Sequence, residues 1–385
     1  MKIIDAKIVV IGNPWKNWVL VKVETDEGLY GWGDATQGLA TQPVVGAIRE
    51  LRRFYLGKDP LAIERLWEEM HKGLYLTANG TLLSAMAGIE TACWDILGRA
   101  LKAPLHQLLG GKVRDRVKAY ANGWYKGPRE PGFLAERAAE VVGMGYRALK
   151  FDPFGAGHRI LEPAERRLGI ELVRAVRRAV GDDVDLIIEV HDRLTVPEAI
   201  QINRRLEEFN PLWVEAPVWS VDGPALAEVA RSSVLRIGGG EKFTTLRMFA
   251  DLFACGRIDL VLPEYIELGG LHRLRQVAAI AEAYQAMVAP HNARSMLSTA
   301  VNVHFDAATR NALIQETFDD FNVAWARDVF RGLPRVVDGY LEIPSAPGLG
   351  VEVDEVEAAK HPYSDRNFMN LFEEGWERRF ASEKA

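Results

Sequence analysis

The sequence predicts a closed (β/α)₈ barrel with an α+β N-terminal capping domain that the C-terminal segment completes. Three observations predict it. Short, near-continuous apolar runs appear eight times over roughly 200 residues, with helical stretches between them, as expected of parallel strands buried on both faces. The first hundred or so residues follow another order, strands first and helices after. The last forty or so carry neither rhythm. A length of 385 residues allows roughly two to three domains, and eight βα units of this size favour a barrel over an open sheet.

In the N-terminal unit, Val19–Glu24 alternates, Asp26-Glu27-Gly28 supplies a turn and Leu29–Trp32 returns, which is a hairpin signal. From Val44 the period becomes helical. Met86, Ile89, Cys93, Ile96 and Leu97 share a stripe that stops at Gly110-Gly111. This unit is assigned residues 1–112 and the barrel 113–343. Barrel strands are predicted at Val117–Ala121, Ala148–Phe151, Leu186–Val190, Leu212–Val214, Leu235–Gly238, Leu260–Leu262, Met287–Ala289 and Leu313–Gln315. The helices between them include Pro163–Val180, Val196–Phe209, Thr244–Cys255 and Gly270–Gln285. Residues 344–385 carry charges and aromatics and are expected to pack back on the N-terminal unit.

Composition narrows the function. A net charge of -6 weighs against nucleic acid or an anionic membrane as the main partner. The apolar runs are too short for a transmembrane helix, and Met1–Val10 has no signal-peptide pattern. Two cysteines, Cys93 and Cys255, suit a reducing cytosol rather than a disulfide or zinc scaffold. The expectation is a cytoplasmic enzyme.

Barrel active sites lie at the C-terminal strand ends. There the sequence places Lys150 and Asp152, Glu189 and His191, Glu215, Glu241, Glu264, His291, and Glu316, on seven successive strands. Glu189, Glu215 and Glu241 follow one another at intervals of 26 residues. Each alone reads as a loop glutamate paired with a basic residue. Three on adjacent strands repel one another unless a cation neutralises them, and all-oxygen ligation suits Mg²⁺. His191 and Glu189 share a face by strand alternation, as do Lys150 and Asp152. The competing reading for the latter two is a snorkelling lysine and an aspartate cap. Gly238-Gly239-Gly240 lacks the Lys-Ser/Thr of a phosphate loop and reads as close packing before Glu241.

This constellation, with Gly31-Trp32-Gly33, Glu90-Thr-Ala-Cys-Trp-Asp95, Gly145-Tyr-Arg-Ala-Leu-Lys150, Trp213-Val-Glu-Ala-Pro217 and Gly269-Gly270, resembles the mandelate racemase subgroup of the enolase superfamily. Within it the sequence looks most like sugar-acid dehydratases acting on galactonate-type acids. The resemblance spans nearly the whole chain. It implies Mg²⁺ held by Glu189, Glu215 and Glu241, with glutamate at 189 where those enzymes usually carry aspartate. It implies His191 as the base that takes the proton at C2. His291, oriented by Glu264, becomes the acid that protonates the departing 3-hydroxyl. Glu316 hydrogen-bonds the intermediate, and Lys150 helps bind the substrate carboxylate or the metal's anionic shell. Many relatives carry a second lysine where Asp152 stands, so a lysine base there is excluded. Asp152 is instead grouped with the substrate-contacting residues.

The resemblance further implies a small-molecule carboxylate substrate, a 2-keto-3-deoxy product and a homo-oligomer. The loop Asn13–Trp18 sits where the family carries its variable lid, making Trp15 and Lys16 candidates to touch the distal hydroxyls. The same enediolate could also serve a cycloisomerase or an epimerase. A non-catalytic sugar-acid sensor and a metal-dependent aldolase are further alternatives, less suited to this residue set.

Overall fold

The computed structural model describes residues 1–378. The chain opens with an antiparallel meander of β1 (Ile3–Ile11), β2 (Trp18–Thr25) and β3 (Tyr30–Asp34), followed by α1 (Thr41–Tyr55), α2 (Ile63–Gly73) and α3 (Gly80–Leu101). Val19, Val21 and Val23 bury one face of β2 in the cluster that also takes the apolar stripes of α1 and α3. Glycine at 31 and 33 lets β3 lie directly on α3. A Cβ at Gly33 would stand 1.9 Å from the Gly88 carbonyl oxygen, and one at Gly31 would stand 2.2 Å from that of Ala92.

After the short α4 (Leu105–Leu108) comes the predicted barrel. Its strands are β4 (Val117–Ala121), β5 (Ala148–Phe151), β6 (Asp185–Glu189), β7 (Trp213–Glu215), β8 (Ile237–Gly238), β9 (Leu260–Val261), β10 (Met287–Val288) and β11 (Gln315–Thr317). Parallel pairing runs β11-β4-β5-β6-β7-β8, and β9 pairs with β10. Backbone bonds close the ring, from Leu262 N to Gly239 O at 2.9 Å and from Leu313 N to Val288 O at 2.8 Å. The long outer helices are α5 (Pro131–Gly143), α6 (Pro163–Val180), α7 (Val196–Leu206), α8 (Gly223–Arg231), α9 (Leu246–Cys255), α11 (Leu271–Ala283) and α12 (Met296–Ala308), with the short α10 (Tyr265–Leu268) before α11. The last strand lies two residues later than the apolar pattern placed it.

An apolar layer fills the barrel: Tyr120, Ala148, Ile187, Trp213, Leu260, Leu262, Ala289 and Ile314. A Cβ at Gly238 would meet Leu262 at 2.8 Å and Trp213 at 3.0 Å, so the indole takes the space of a side chain on β8. Inward positions recur every second residue. The next inward positions toward the mouth are therefore 122, 150, 189, 215, 264, 291 and 316, and every one is polar. Gly240, at φ 101°, breaks this alternation on β8, and Glu241 follows it.

Cap and barrel meet through carboxylates. Asp34 Oδ2 accepts Ser295 N (3.0 Å) and the hydroxyls of Ser295 and Ser298 at the start of α12. Glu90 accepts Leu271 N and His272 N, both at 3.0 Å, at the start of α11, and Trp94 Nε1 at 2.8 Å. Anionic oxygens at helix N-termini satisfy otherwise orphaned N–H groups. Past the barrel, α13 (Ala326–Val329) leads to β12 (Phe330–Arg331), which pairs with β15 (Glu352–Val353), while the hairpin β13 (Val336–Val337)–β14 (Tyr340–Leu341) adds to β4. The remaining chain bonds to the cap: Leu349 N to Asp95 Oδ1 (2.8 Å), Lys22 to Glu355 (2.8 Å), Gly12 N to His361 O (2.7 Å) and Asn17 Nδ2 to Ser364 O (2.7 Å). Among the described residues no helix is long and apolar enough to cross a membrane.

Candidate active site

At the mouth of the barrel lies a cavity of about 320 Å³. The strand ends supply Lys150, Glu189, His191, Glu241 and His291 to its wall. The loop before β2 supplies Trp15 and Lys16, and the C-terminal segment supplies Met369, Leu371 and Phe372.

Lys150 is 1% exposed and binds three carboxylates at once: Glu189 at 3.0 Å, Glu215 at 2.5 Å and Glu316 at 2.8 Å. Burial favours its neutral form, but these anions outweigh burial and hold the ammonium well above its ordinary range. Glu189 Oε1 also accepts the backbone N–H groups of Val190 (3.0 Å) and His191 (2.8 Å). Against the cost of burial, His191, Lys150 and the His191 N–H hold Glu189 at about 2. Glu215 goes the other way. Burial, with Glu189, Glu316 and Glu241 around it, pushes it well above 4.5 in spite of Lys150. The mouth thus holds more negative charge than Lys150 compensates. Among the described residues no three acidic, histidine or cysteine side chains are drawn into a ready ligand cage. The donors are nonetheless acceptor-only oxygens with excess anionic charge, which is the chemistry a hard divalent cation requires.

Two histidines face the cavity from opposite sides of the ring, after β6 and after β10, and each is backed by a carboxylate and an arginine. His191 Nδ1 lies 2.6 Å from Asp152 Oδ2, and Arg193 Nη1 donates to the same oxygen. His291 Nδ1 lies 3.0 Å from Glu264 Oε2, which also accepts from Arg294 Nε at 3.1 Å. In both, Nδ1 is engaged and Nε2 is turned elsewhere. His291 Nε2 stands 3.6 Å from Glu241 and 4.0 Å from Glu316. Burial lowers the His291 pKa, but Glu241, Glu316 and Glu264 together outweigh it and raise it above 6.5. The backbone is left-handed at His191 (φ 51°) and Asp192 (φ 62°), conformations that cost energy for non-glycine residues and cluster at functional sites.

Asp152 corrects the sequence reading. Expected to contact substrate, it is 2% exposed and turned from the cavity toward His191 and Arg193. Burial raises its pKa, but Arg193 and His191 more than offset this and hold it at about 2. Strand alternation fixed its side of the sheet but could not see Arg193, whose charge draws it away. Glu316 accepts Asn122 Nδ2 and Asn292 N, both at 2.7 Å. Trp15 packs edge-on against Phe318, with ring centroids 5.6 Å apart. Burial and the Arg294 charge lower Lys16 to about 8, against the pull of Glu264, Glu241 and Glu316. The sequence reading missed Arg193, Arg294 and Asn122. A signal for the arginines existed: His-x-Arg at 191–193 and His-x-x-Arg at 291–294 follow two of the strands.

Fold and site together define a capped-barrel enzyme with carboxylates and paired histidines at its strand ends. Residues 7–110 match the mandelate racemase / muconate lactonizing enzyme N-terminal domain, and residues 134–357 match the enolase C-terminal domain-like family. A D-gluconate dehydratase of Thermoproteus tenax is 38% identical over 343 residues, 89% of this chain and 69% of that one. A D-gluconate/D-galactonate dehydratase of Picrophilus torridus is 32% identical over 366 residues, 94% and 93% of the two chains. The crystal structure of a mandelate racemase/muconate lactonizing enzyme-like protein from Roseovarius sp. TM1035 superimposes with a TM-score of 0.89 at 34% identity, covering 94% and 96%. The chain belongs to the mandelate racemase/muconate lactonizing enzyme family of the enolase superfamily. It is an enzyme of the hydro-lyase class, as its named dehydratase relatives are.

Proposed function

We propose that this enzyme is a Mg²⁺-dependent sugar-acid dehydratase. It takes the proton α to the carboxylate of a six-carbon aldonic acid of the gluconate or galactonate type, eliminates the 3-hydroxyl and releases a 2-keto-3-deoxy acid. The observation that carries this reading is the pair of carboxylate-backed histidines facing one cavity from opposite sides. The named relatives, which include a D-gluconate and several D-galactonate dehydratases, support the substrate class.

His191 is the base. With Nδ1–H donated to Asp152, its Nε2 lone pair is available for the C2 proton. The negative charge that then develops on the substrate is met by the Lys150 ammonium and the Asn122 amide, both on the cavity wall. Glu189, Glu215 and Glu241 would hold Mg²⁺, which would supply positive charge beside the substrate carboxylate. His291, whose pKa the surrounding carboxylates raise, protonates the departing 3-hydroxyl. Trp15 and Lys16 stand over the cavity where the distal hydroxyls would lie.

The test is a turnover screen with Mg²⁺ against four- to six-carbon aldonic and aldaric acids, reading keto product after semicarbazide derivatisation. Turnover of a gluconate- or galactonate-type acid is expected. An epimer without ketone would assign the two histidines to proton return at C2 instead. His191→Asn should abolish exchange of the C2 proton into D₂O while Mg²⁺ still binds; retained exchange would place the base elsewhere. Glu215→Gln should lose metal affinity and activity together.

A further inference from the structure

Arg193 is buried to 1% exposure, with both terminal nitrogens paired and Nε without a hydrogen-bond partner. It lies two residues past His191 and turns back beneath it. One arm, Nη1, donates to Asp152 Oδ2, the oxygen that faces His191 Nδ1. The other arm, Nη2, reaches 178 residues along the chain to the Leu371 carbonyl at 2.9 Å. Its guanidinium also lies 5.6 Å from the Phe372 ring centroid. These contacts belong to a strap, residues 368–376, that passes over the cavity. It begins where Phe368 bridges to Lys16 and ends where Trp376 presents its ring edge-on to His191, centroids 6.3 Å apart. Arg294, the counterpart on the other side, spends its second arm on Glu267 instead. Among the described residues, then, only the His191 side, of the two histidine sites, hydrogen-bonds to the C-terminal strap.

Asp152 Oδ1 accepts Phe154 N at 2.9 Å, which leaves Oδ2, the oxygen that faces His191, able to swing about that single anchor and the imidazole to swing with it. A guanidinium that binds the carboxylate and is itself anchored removes that freedom. We propose that Arg193 is a positioning residue that ties the base to the strap, holding Asp152, and through it the His191 ring, in register when residues 368–376 are seated over the mouth. This rests on His191 being the base, as argued above.

The test is C2-proton exchange into D₂O and steady-state kinetics on an acid the enzyme turns over. Arg193→Met should lower exchange and kcat about 10- to 100-fold, with KM within about twofold of the parent. Arg193→Lys, which keeps the cation, should recover part of the loss. If Arg193 acts through Asp152, Asp152→Asn/Arg193→Met will be no slower than Asp152→Asn alone. Losses that multiply, or a raised KM with unchanged kcat, would overturn the proposal. Leu371→Gly, which loosens the strap backbone, should lower kcat in the parent and add nothing in the Arg193→Met background; full kcat in the parent would remove the strap from the relay. Should Arg193→Met fail to fold, the unsubstituted protein decides by ¹⁵N spectra of labelled histidine. Neutral His191 should be the Nδ1–H tautomer, and an Nε2–H tautomer would overturn the relay. If no acid is turned over, the dehydratase reading fails, and an Nε2–H tautomer would still overturn the relay.

Discussion

Replacing Glu90 with Gln should change how the stability of the protein depends on pH. The Glu90 carboxylate is 1% exposed at the seam between cap and barrel, where it accepts Leu271 N, His272 N and Trp94 Nε1. Burial raises its pKa from 4.5 to about 7 in spite of these three donors. A carboxyl whose folded pKa exceeds its unfolded value contributes stability that is fully present below pH 4.5 and is lost as pH rises through 7. At 1.36 kcal/mol per unit, that loss is about 3 kcal/mol, and most of it falls between pH 5 and 8.5. Gln does not titrate. Its amide oxygen can serve one of the two oxygen positions, but its NH₂ faces a donor at the other and leaves a buried N–H unpaired, which costs about 1–3 kcal/mol. Glu90→Gln should therefore be less stable than the parent at pH 5 by about that amount, and as stable or more stable at pH 8.5. Urea unfolding of both proteins at the two pH values measures this, and groups common to both cancel in the difference. A stability difference that stays constant with pH would refute the assignment of this titration to Glu90.

Three further outcomes are expected. Gly270→Ala puts a Cβ 2.5 Å from the Glu90 carboxyl carbon at a backbone φ of 144°, so strain and a displaced helix cap should together cost about 2–4 kcal/mol in urea unfolding. His304 is held near 4 by burial, with its Nδ1 accepting the His106 N–H and its Nε2 facing the Leu349 carbonyl. A histidine pKa lowered on folding removes stability as pH falls from 6.5 toward 4, so the parent should lose about 3 kcal/mol over that range, and His304→Gln should show a shallower acid limb in the same titration. Lys150→Met strands three buried carboxylates and should cost about 3–5 kcal/mol in EDTA by denaturant unfolding, with part regained in excess Mg²⁺; no loss in EDTA would mean that Lys150 does not hold the cluster together.

Much of this was legible from residue order. Apolar strands mark the barrel because a sheet covered on both faces must be apolar throughout, and a strand's inward side repeats every second residue. That repeat places Lys150, Glu189, Glu215 and Glu316 one step above Ala148, Ile187, Trp213 and Ile314. The last strand was misplaced because its residues, Gln315-Glu316-Thr317, are polar and buried, while the apolar run that suggests a strand ends at Ile314. Asp152 was placed on the correct side of the sheet with the wrong neighbour. Its orientation depends on Arg193, 41 residues away in sequence. The strap is still less legible, since a single backbone carbonyl at Leu371 leaves no residue-type signature.

The carboxylates at the seam also set a timetable for synthesis. Asp34 leaves the ribosome 261 residues before the Ser295 that it caps, and Asp95 254 residues before Leu349. At elongation rates of about 5–20 residues per second, the N-terminal domain waits roughly 15 to 50 seconds for the groups that complete it. Through that interval Asp34 is hydrated, and for the first two thirds or so of it so is Glu90, whose partner Leu271 follows it by 181 residues, while the α3 face destined for the barrel is uncovered. The nascent chain is then most open to chaperones and proteases, and mutations at the seam should lower cellular yield before they lower the activity of molecules that finish folding.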